Sequence, residues 1–267
     1  MALEELGQAQ KRQIPDGISI MTMADLNQSK AEALNEQRGS LRDYDCAECR
    51  NKGYIAFSTE IGIQTRECRC MEARRSIRRI KASWLSETLA YCTLENYETG
   101  KPWQAAAKEK AQRFLSDGAD AGKWMIRSGT PGTGKTHLCT AVCGELLNRQ
   151  KSVRYMLWRT DAPKLKALIG ERGQYESLMR DYADCDVLYI DDFLKGSITE
   201  ADINLAFELL NARYINRSGA TVISSEMTVE QILDQDEAIG SRIAERAAGY
   251  MIRTPKDNIR LQKAAGK

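Results

Sequence analysis

The chain has 267 residues, 42% hydrophobic and 28% charged, with a formal net charge of +2. That length calls for one large core plus a smaller module, and a balance so near neutral gives no proof of a nucleic-acid partner. No basic-then-apolar leader and no uninterrupted apolar window of bilayer-spanning length occur, so the expectation is a cytoplasmic protein without a membrane partner.

Residues 1 to about 45 are polar, with Ile20, Met23, Leu26, Ala31 and Leu34 spaced for a modest amphipathic helix across 18–34. From 45 to 71 the character changes to cysteines, Gly53, Gly62 and short alternating runs (Tyr54-Ile55-Ala56-Phe57, then Ile61 and Ile63), which predict a small β-hairpin. A basic stretch follows, with Arg66, Arg69, Arg74, Arg75, Arg78, Arg79 and Lys81 set against Glu67 and Glu72; its 72–83 portion reads as a helix with a solvated or partner-binding face. Beyond Trp84 strands alternate with helices. Strands are expected at 124–127, 153–158, 187–190 and 221–224, and helices after Lys135, at 163–169, 175–182 and 203–214, then as two short segments. This alternation predicts an α/β fold, a parallel sheet covered on both faces by helices.

Eight cysteines in a reducing compartment point to metal rather than disulfides. Cys46-Ala47-Glu48-Cys49, eighteen residues and then Cys68-Arg69-Cys70 bring two pairs of thiolates to bear, a ribbon-type spacing for tetrahedral zinc. Four cysteines leave no open coordination position, so Zn2+ held by Cys46, Cys49, Cys68 and Cys70 is expected to be structural. Cys92, Cys139, Cys143 and Cys185 lack paired spacing, and Cys139 and Cys143, one helical turn apart, read as core.

Gly129-Thr130-Pro131-Gly132-Thr133-Gly134-Lys135-Thr136 fits G-x-x-x-x-G-K-T between a predicted strand and a predicted helix. Backbone N–H groups of such a loop cradle phosphates, Lys135 reaches the terminal phosphates, and the Thr136 hydroxyl can ligate Mg2+. The apolar strand at 187–190 ends in Asp191 and Asp192, placing two acids at the carboxyl edge of the sheet. Asp191 is expected to hold magnesium and Asp192 to polarise the attacking water. Arg242, expected near the start of a short late helix, is a candidate for completing a neighbouring protomer's site, with Arg246 able to share the role.

Together the segments SGTPGTGKTHL, DVLYIDDF, NARYINRSGATVISSE and IGSRIAER resemble the DnaC/DnaI type of bacterial replicative-helicase loader across roughly 94–260. The resemblance implies an AAA+ P-loop NTPase domain at 99–267, without a helical lid because the tail after Arg253 leaves no room for one. It implies ATP and Mg2+ as cofactors and His137 as part of the ATP-binding run. It makes 1–80 a helicase-binding zinc module and 81–98 a linker. The implied activity is weak, assembly- or DNA-stimulated ATP hydrolysis, Arg242 acting across a self-associated ATPase ring or filament. The implied partners are a hexameric replicative DNA helicase and single-stranded DNA, contacted from 161–184 through Lys164, Lys166, Arg172, Arg180 and Tyr175. Where the family commonly carries a sensor Asn, this chain has Ser224, Ser225 and Glu226, which leaves the sensor open among the three. An IstB-type transposition helper and a nucleotide-binding zinc adaptor with little hydrolysis are the alternative readings.

Overall fold

The structure, a computed structural model, describes residues 21–42, 45–81, 85–216 and 219–255. The first positions of the expected 18–34 helix, residues 82–84 at the end of the basic helix, and the tail from 256 on which the lid expectation rests lie outside them. The chain divides into two compact units, Met1–Cys68 and Arg69–Lys267; helix 70–81, expected in the N-terminal module, belongs to the second.

In the first unit α1 (Met23–Glu36) starts at Thr22, whose hydroxyl accepts from the Asp25 N–H while Asp25 returns a bond to the Thr22 backbone. This reciprocal cap satisfies two donors that a helix start otherwise leaves open. The hairpin falls where the alternation placed it, β1 (Tyr54–Thr59) pairing antiparallel with β2 (Gly62–Glu67). Asn35 fastens helix to hairpin, its side-chain amide donating to Ala56 O at 2.8 Å and accepting from Ala56 N at 2.9 Å. Among the described residues of this unit the buried apolar side chains are Ala31 and Ala56, together with Cys46, Cys49 and Cys68.

The second unit opens with α2 (Cys70–Lys81), α3 (Leu85–Tyr91) and α4 (Pro102–Arg113), which widens into a π-helical turn at Phe114–Gly118. Then come β3 (Trp124–Ser128), α5 (Lys135–Asn148), β4 (Val153–Leu157), α6 (Trp158–Ala167), α7 (Arg172–Asp184), β5 (Val187–Asp191), α8 (Glu200–Asn216), β6 (Ala220–Ser225), α9 (Val229–Gln235), α10 (Glu237–Arg246) and β7 (Met251–Arg253). The sheet runs β4-β5-β6-β3-β7 with every pairing parallel. Side chains alternate across it. Ile126, Leu188, Ile190 and Ile223 pack with α6–α10, whereas Met125, Tyr189 and Val222 pack with α4 and α5. Both faces are dry, which is why 187–190 reads as an unbroken apolar run.

Trp158 departs from expectation: it opens α6 rather than ending β4. Asp161 accepts from the Leu157 N–H at 2.9 Å and captures the helix start there, and the indole stacks edge-on against Phe193 at 5.0 Å. The helix α4 and the three-residue β7 had no counterpart in the sequence pattern. No helix among the described residues is long and apolar enough to cross a membrane.

Candidate nucleotide site

The parallel sheet delivers three strand ends to one edge. In register, Ser128 lies beside Ser225, and Leu157 beside Asp191. The loop after β3 carries Gly129–Lys135, the end of β5 carries Asp191 and Asp192, and the end of β6 carries Ser224 and Ser225. This is the edge at which open α/β sheets bind ligands.

The loop has the backbone that a phosphate cradle needs. Gly129 has φ +138°, where a Cβ would also come within 2.8 Å of the Thr254 side chain, and Gly134, which caps α5, has φ +74°. Neither conformation suits a side-chain-bearing residue. The Lys135 ammonium donates to the carbonyls of Gly129 at 2.8 Å and Thr130 at 3.0 Å. Burial pulls its pKa down, an effect opposed by the Glu226 and Asp192 carboxylates and reinforced by the Lys195 and Arg127 charges. α5 follows directly, so the positive end of its dipole points into the same loop.

Asp191 is buried, and three hydroxyls reach it. Thr136 Oγ1 donates to its Oδ1 at 3.3 Å, Tyr155 OH to its Oδ2 at 3.2 Å, and Ser224 Oγ also donates to Oδ1. Burial foremost, and then the Asp191 charge, push the Tyr155 phenol above its ordinary pKa, so it stays a donor. Two cis oxygens of an octahedral magnesium ion with bonds of about 2.1 Å stand about 3 Å apart, so the Thr136–Asp191 spacing fits that ion. Ser224 also accepts from the Asp192 N–H at 3.0 Å. One hydroxyl thus fixes both acids, and Asp192 is held at φ +55°.

Lys195 was not singled out by sequence. Its ammonium lies 3.2 and 3.1 Å from the two Asp192 carboxylate oxygens and 2.9 Å from Glu226. Of the three sensor candidates, Ser224 touches Asp191, Glu226 reaches Asp192 through Lys195, and Ser225 bonds the Phe193 carbonyl at 2.9 Å. Nothing in the spacing announced Tyr155, which reaches Asp191 from 36 residues away, or the Lys195 bridge from Asp192 to Glu226.

Other expected residues take other places. His137 Nε2 lies 3.1 Å from the Thr93 carbonyl and its ring meets Tyr97 edge-on at 5.5 Å, so its contacts are with the segment before α4. Arg242 stands mid-helix in α10 rather than near its start. Its guanidinium packs over Phe207 and Tyr214 and donates to Asn211 at 3.1 Å and the Ala238 carbonyl at 2.8 Å. Arg246 is buried and donates to the Gly122 carbonyl, at the amino end of β3. In α6 and α7, Lys164 pairs with Asp161, Lys166 with Asp202, Arg172 with Glu176, and Tyr175 bonds Glu208, while Arg180 is exposed. A cavity of about 570 Å³ lies at the opposite edge of the sheet, near Ser152 and Asp186, and contains none of the motif residues.

Cys46, Cys49, Cys68 and Cys70 are buried with their sulfurs within 4.8 Å of one another, Cys46 and Cys68 at 3.8 Å. A tetrahedron of thiolates about 2.3 Å from zinc has sulfur–sulfur edges of about 3.8 Å, so the cluster could hold that ion. The Gly53 N–H donates to Cys49 Sγ at 3.3 Å, and Asn51 accepts from the Cys46 N–H at 2.9 Å, setting the knuckle. Cys139 and Cys143 are buried core, with burial raising both thiols.

Comparison with known proteins places the chain among relatives. The phage-like element PBSX protein XkdC of Bacillus subtilis (strain 168) is 30% identical over 222 residues, covering 78% of this chain and 82% of XkdC. The replicative helicase loader DnaC of Escherichia coli (strain K12) is 29% identical over 68% of this chain and 71% of its own length. Among solved structures, the DnaC helicase loader matches with TM-score 0.54 at 18% identity, over 62% of this chain and 98% of that one. DnaI matches with TM-score 0.53 at 21% identity, over 62% and 92%. At such identities these two structures speak for the AAA+ fold alone. The family model described as IstB-like ATP binding protein matches residues 52–265, most of the chain, and the chain belongs to that family.

Proposed function

We propose that this protein is an ATP-dependent loader that binds a hexameric replicative DNA helicase and delivers it to single-stranded DNA. The observation that carries the reading is the joint geometry of Lys135, Thr136 and Asp191 at one sheet edge, in a chain that resembles a named helicase loader over two thirds of its length. In this reading the 129–136 loop cradles the ATP phosphates and Lys135 turns from the loop carbonyls to them. Thr136 and Asp191 hold Mg2+, and Asp192 orients the attacking water. Arg242 serves a neighbouring protomer in a self-associated assembly. The N-terminal unit, Met1–Cys68, forms the helicase-binding module, with structural Zn2+ on Cys46, Cys49, Cys68 and Cys70, and α6–α7 present Arg180 and neighbouring cations to DNA.

A second reading, a nucleotide-holding zinc adaptor with little hydrolysis, draws on one specific contact. Both carboxylate oxygens of Asp192 are already engaged by the Lys195 ammonium, at 3.2 and 3.1 Å, rather than open to a water molecule. ATP turnover with and without single-stranded DNA separates the two: stimulation by DNA supports the loader, and flat, negligible turnover supports the adaptor. The loader reading is tested by size-exclusion chromatography with light scattering of the full chain and its host's replicative helicase, with and without ATP. A stable complex whose amount changes with nucleotide is expected, and no complex under any condition would overturn it.

A further inference from the structure

Arg127 is the next-to-last residue of β3 and lies on the sheet face covered by α5, a face lined by apolar side chains and, toward its carboxyl edge, by Ser224 and Asp191. It is fully buried. Its Nη2 donates to the Thr133 carbonyl at 3.2 Å and to Tyr97 OH at 3.3 Å, and its guanidinium carbon lies 5.5 Å from the centroid of the Trp103 ring. Its Nε and Nη1 have no hydrogen-bond partner, and no carboxylate among the described residues pairs with it. A buried cation without a counter-charge is expensive, and burial accordingly lowers its pKa.

The placement of the one satisfied nitrogen explains why such a group is useful. Thr133 belongs to the phosphate loop, and its carbonyl shares a planar trans peptide with the Gly134 N–H, so the two point in opposite directions. A guanidinium on the carbonyl side therefore stands behind the loop, fixes the plane of that peptide and polarises the Gly134 N–H toward the side away from Arg127. The same charge adds to that of Lys135, whose own pKa it helps to depress.

We infer that Arg127 is a hidden second cation of the phosphate site, a positioning residue that braces the Thr133–Gly134 peptide from behind and finds its missing counter-charge in the phosphates of a bound nucleotide. Through Tyr97 and Trp103 it also ties the segment before α4 and the first turn of α4 to the loop. This inference rests on 129–136 being the nucleotide site. A sequence reading passes over it because arginine in the penultimate position of a strand carries no motif.

The test uses the full chain with Arg127→Met, which keeps length and removes charge, and with Arg127→Gln, which keeps one donor for the Thr133 carbonyl, in case the first does not fold. Affinities for AMP, ADP and ATP are read by competition, with thermal midpoints taken in parallel without nucleotide. The expected result is a midpoint equal to or above wild type, with ADP and ATP bound roughly tenfold more weakly and AMP changed much less. Wild-type affinity for ADP and ATP in either folded variant overturns the inference. So does an equal loss for AMP, ADP and ATP, which would assign Arg127 to packing. Failure of the nucleotide-site reading is distinguishable, because wild type and Lys135→Ala would then be indistinguishable in binding.

Discussion

The two units of this chain are held together by different physics. The second buries two layers of aliphatic and aromatic side chains against a parallel sheet, so its strands and their loop ends stand on a core. The first buries only Ala31 and Ala56 besides its cysteines, among the described residues, while Ile61 is almost wholly exposed and Tyr54 and Phe57 partly so. A module with so little apolar burial needs a staple, and the four convergent thiols are the candidate. The lesson is that a site can be rigid because its scaffold is, as for Asp191, or because the site is itself the scaffold, as for the cysteines.

The sharpest way to break that contrast is to remove the staple. Cys46→Ser with Cys49→Ser, or prolonged chelation, should unfold 45–68, since a structural zinc site is worth about 10–16 kcal/mol to its own fold. Hydrogen exchange is the readout: amides of β1 and β2 lose protection while those of β3, β5 and β6 keep theirs. Loss of protection in both units alike would refute the contrast.

Smaller effects belong to the second unit. Arg242→Ala should leave ATP binding intact and lower assembly-dependent hydrolysis on the order of a thousandfold, the scale of an arginine supplied to a transferring phosphate. Normal hydrolysis in the assembled complex would return Arg242 to its stacking role between Phe207 and Tyr214. Ser224→Ala removes the hydroxyl shared by Asp191 and Asp192. It should cost about 1–2 kcal/mol of stability and roughly tenfold in turnover, with little change in ATP affinity; unchanged turnover in steady-state assays would exclude Ser224 as the sensor.

The smallest effect concerns Asp202. Burial alone would raise its pKa, but the Lys166 ion pair and the Thr199 hydrogen bonds win and hold it below the ordinary 3.8. Its contribution is therefore present above pH 3.8 and lost as pH falls through the lower folded value. Asp202→Asn should cost under about 1 kcal/mol at neutral pH and flatten the acid limb of a denaturation profile. An acid limb identical to wild type would contradict the assignment.

Legibility followed chemistry that depends on local sequence. The phosphate loop, the acid pair after an apolar strand and the hairpin between cysteine pairs each have a signature a few residues long, and each fell where expected. What depends on three-dimensional encounter did not show. Trp158 looked like strand until Asp161, three residues on, captured the helix start. Tyr155 reaches Asp191 from the middle of the neighbouring strand β4, and Lys195, three residues after Asp192, joins Asp192 to Glu226 beyond the end of β6. Arg213 bonds Thr221 and the carbonyls of Tyr182, Ala183, Cys185 and Ala220, joining α8 to the ends of α7 and β6, yet it reads in sequence as one more charge on a helix. The boundary between units was also displaced, because the basic helix, α2, packs on β4 and α5.

The most direct test of the account is calorimetric titration of the full chain with ATP in magnesium, beside Lys135→Ala. Saturable binding at one site per chain is predicted for the native protein, and a loss of about 2–5 kcal/mol for the variant, with its thermal midpoint little changed. Equal affinity in the two proteins would contradict the claim that the loop after β3 holds the nucleotide.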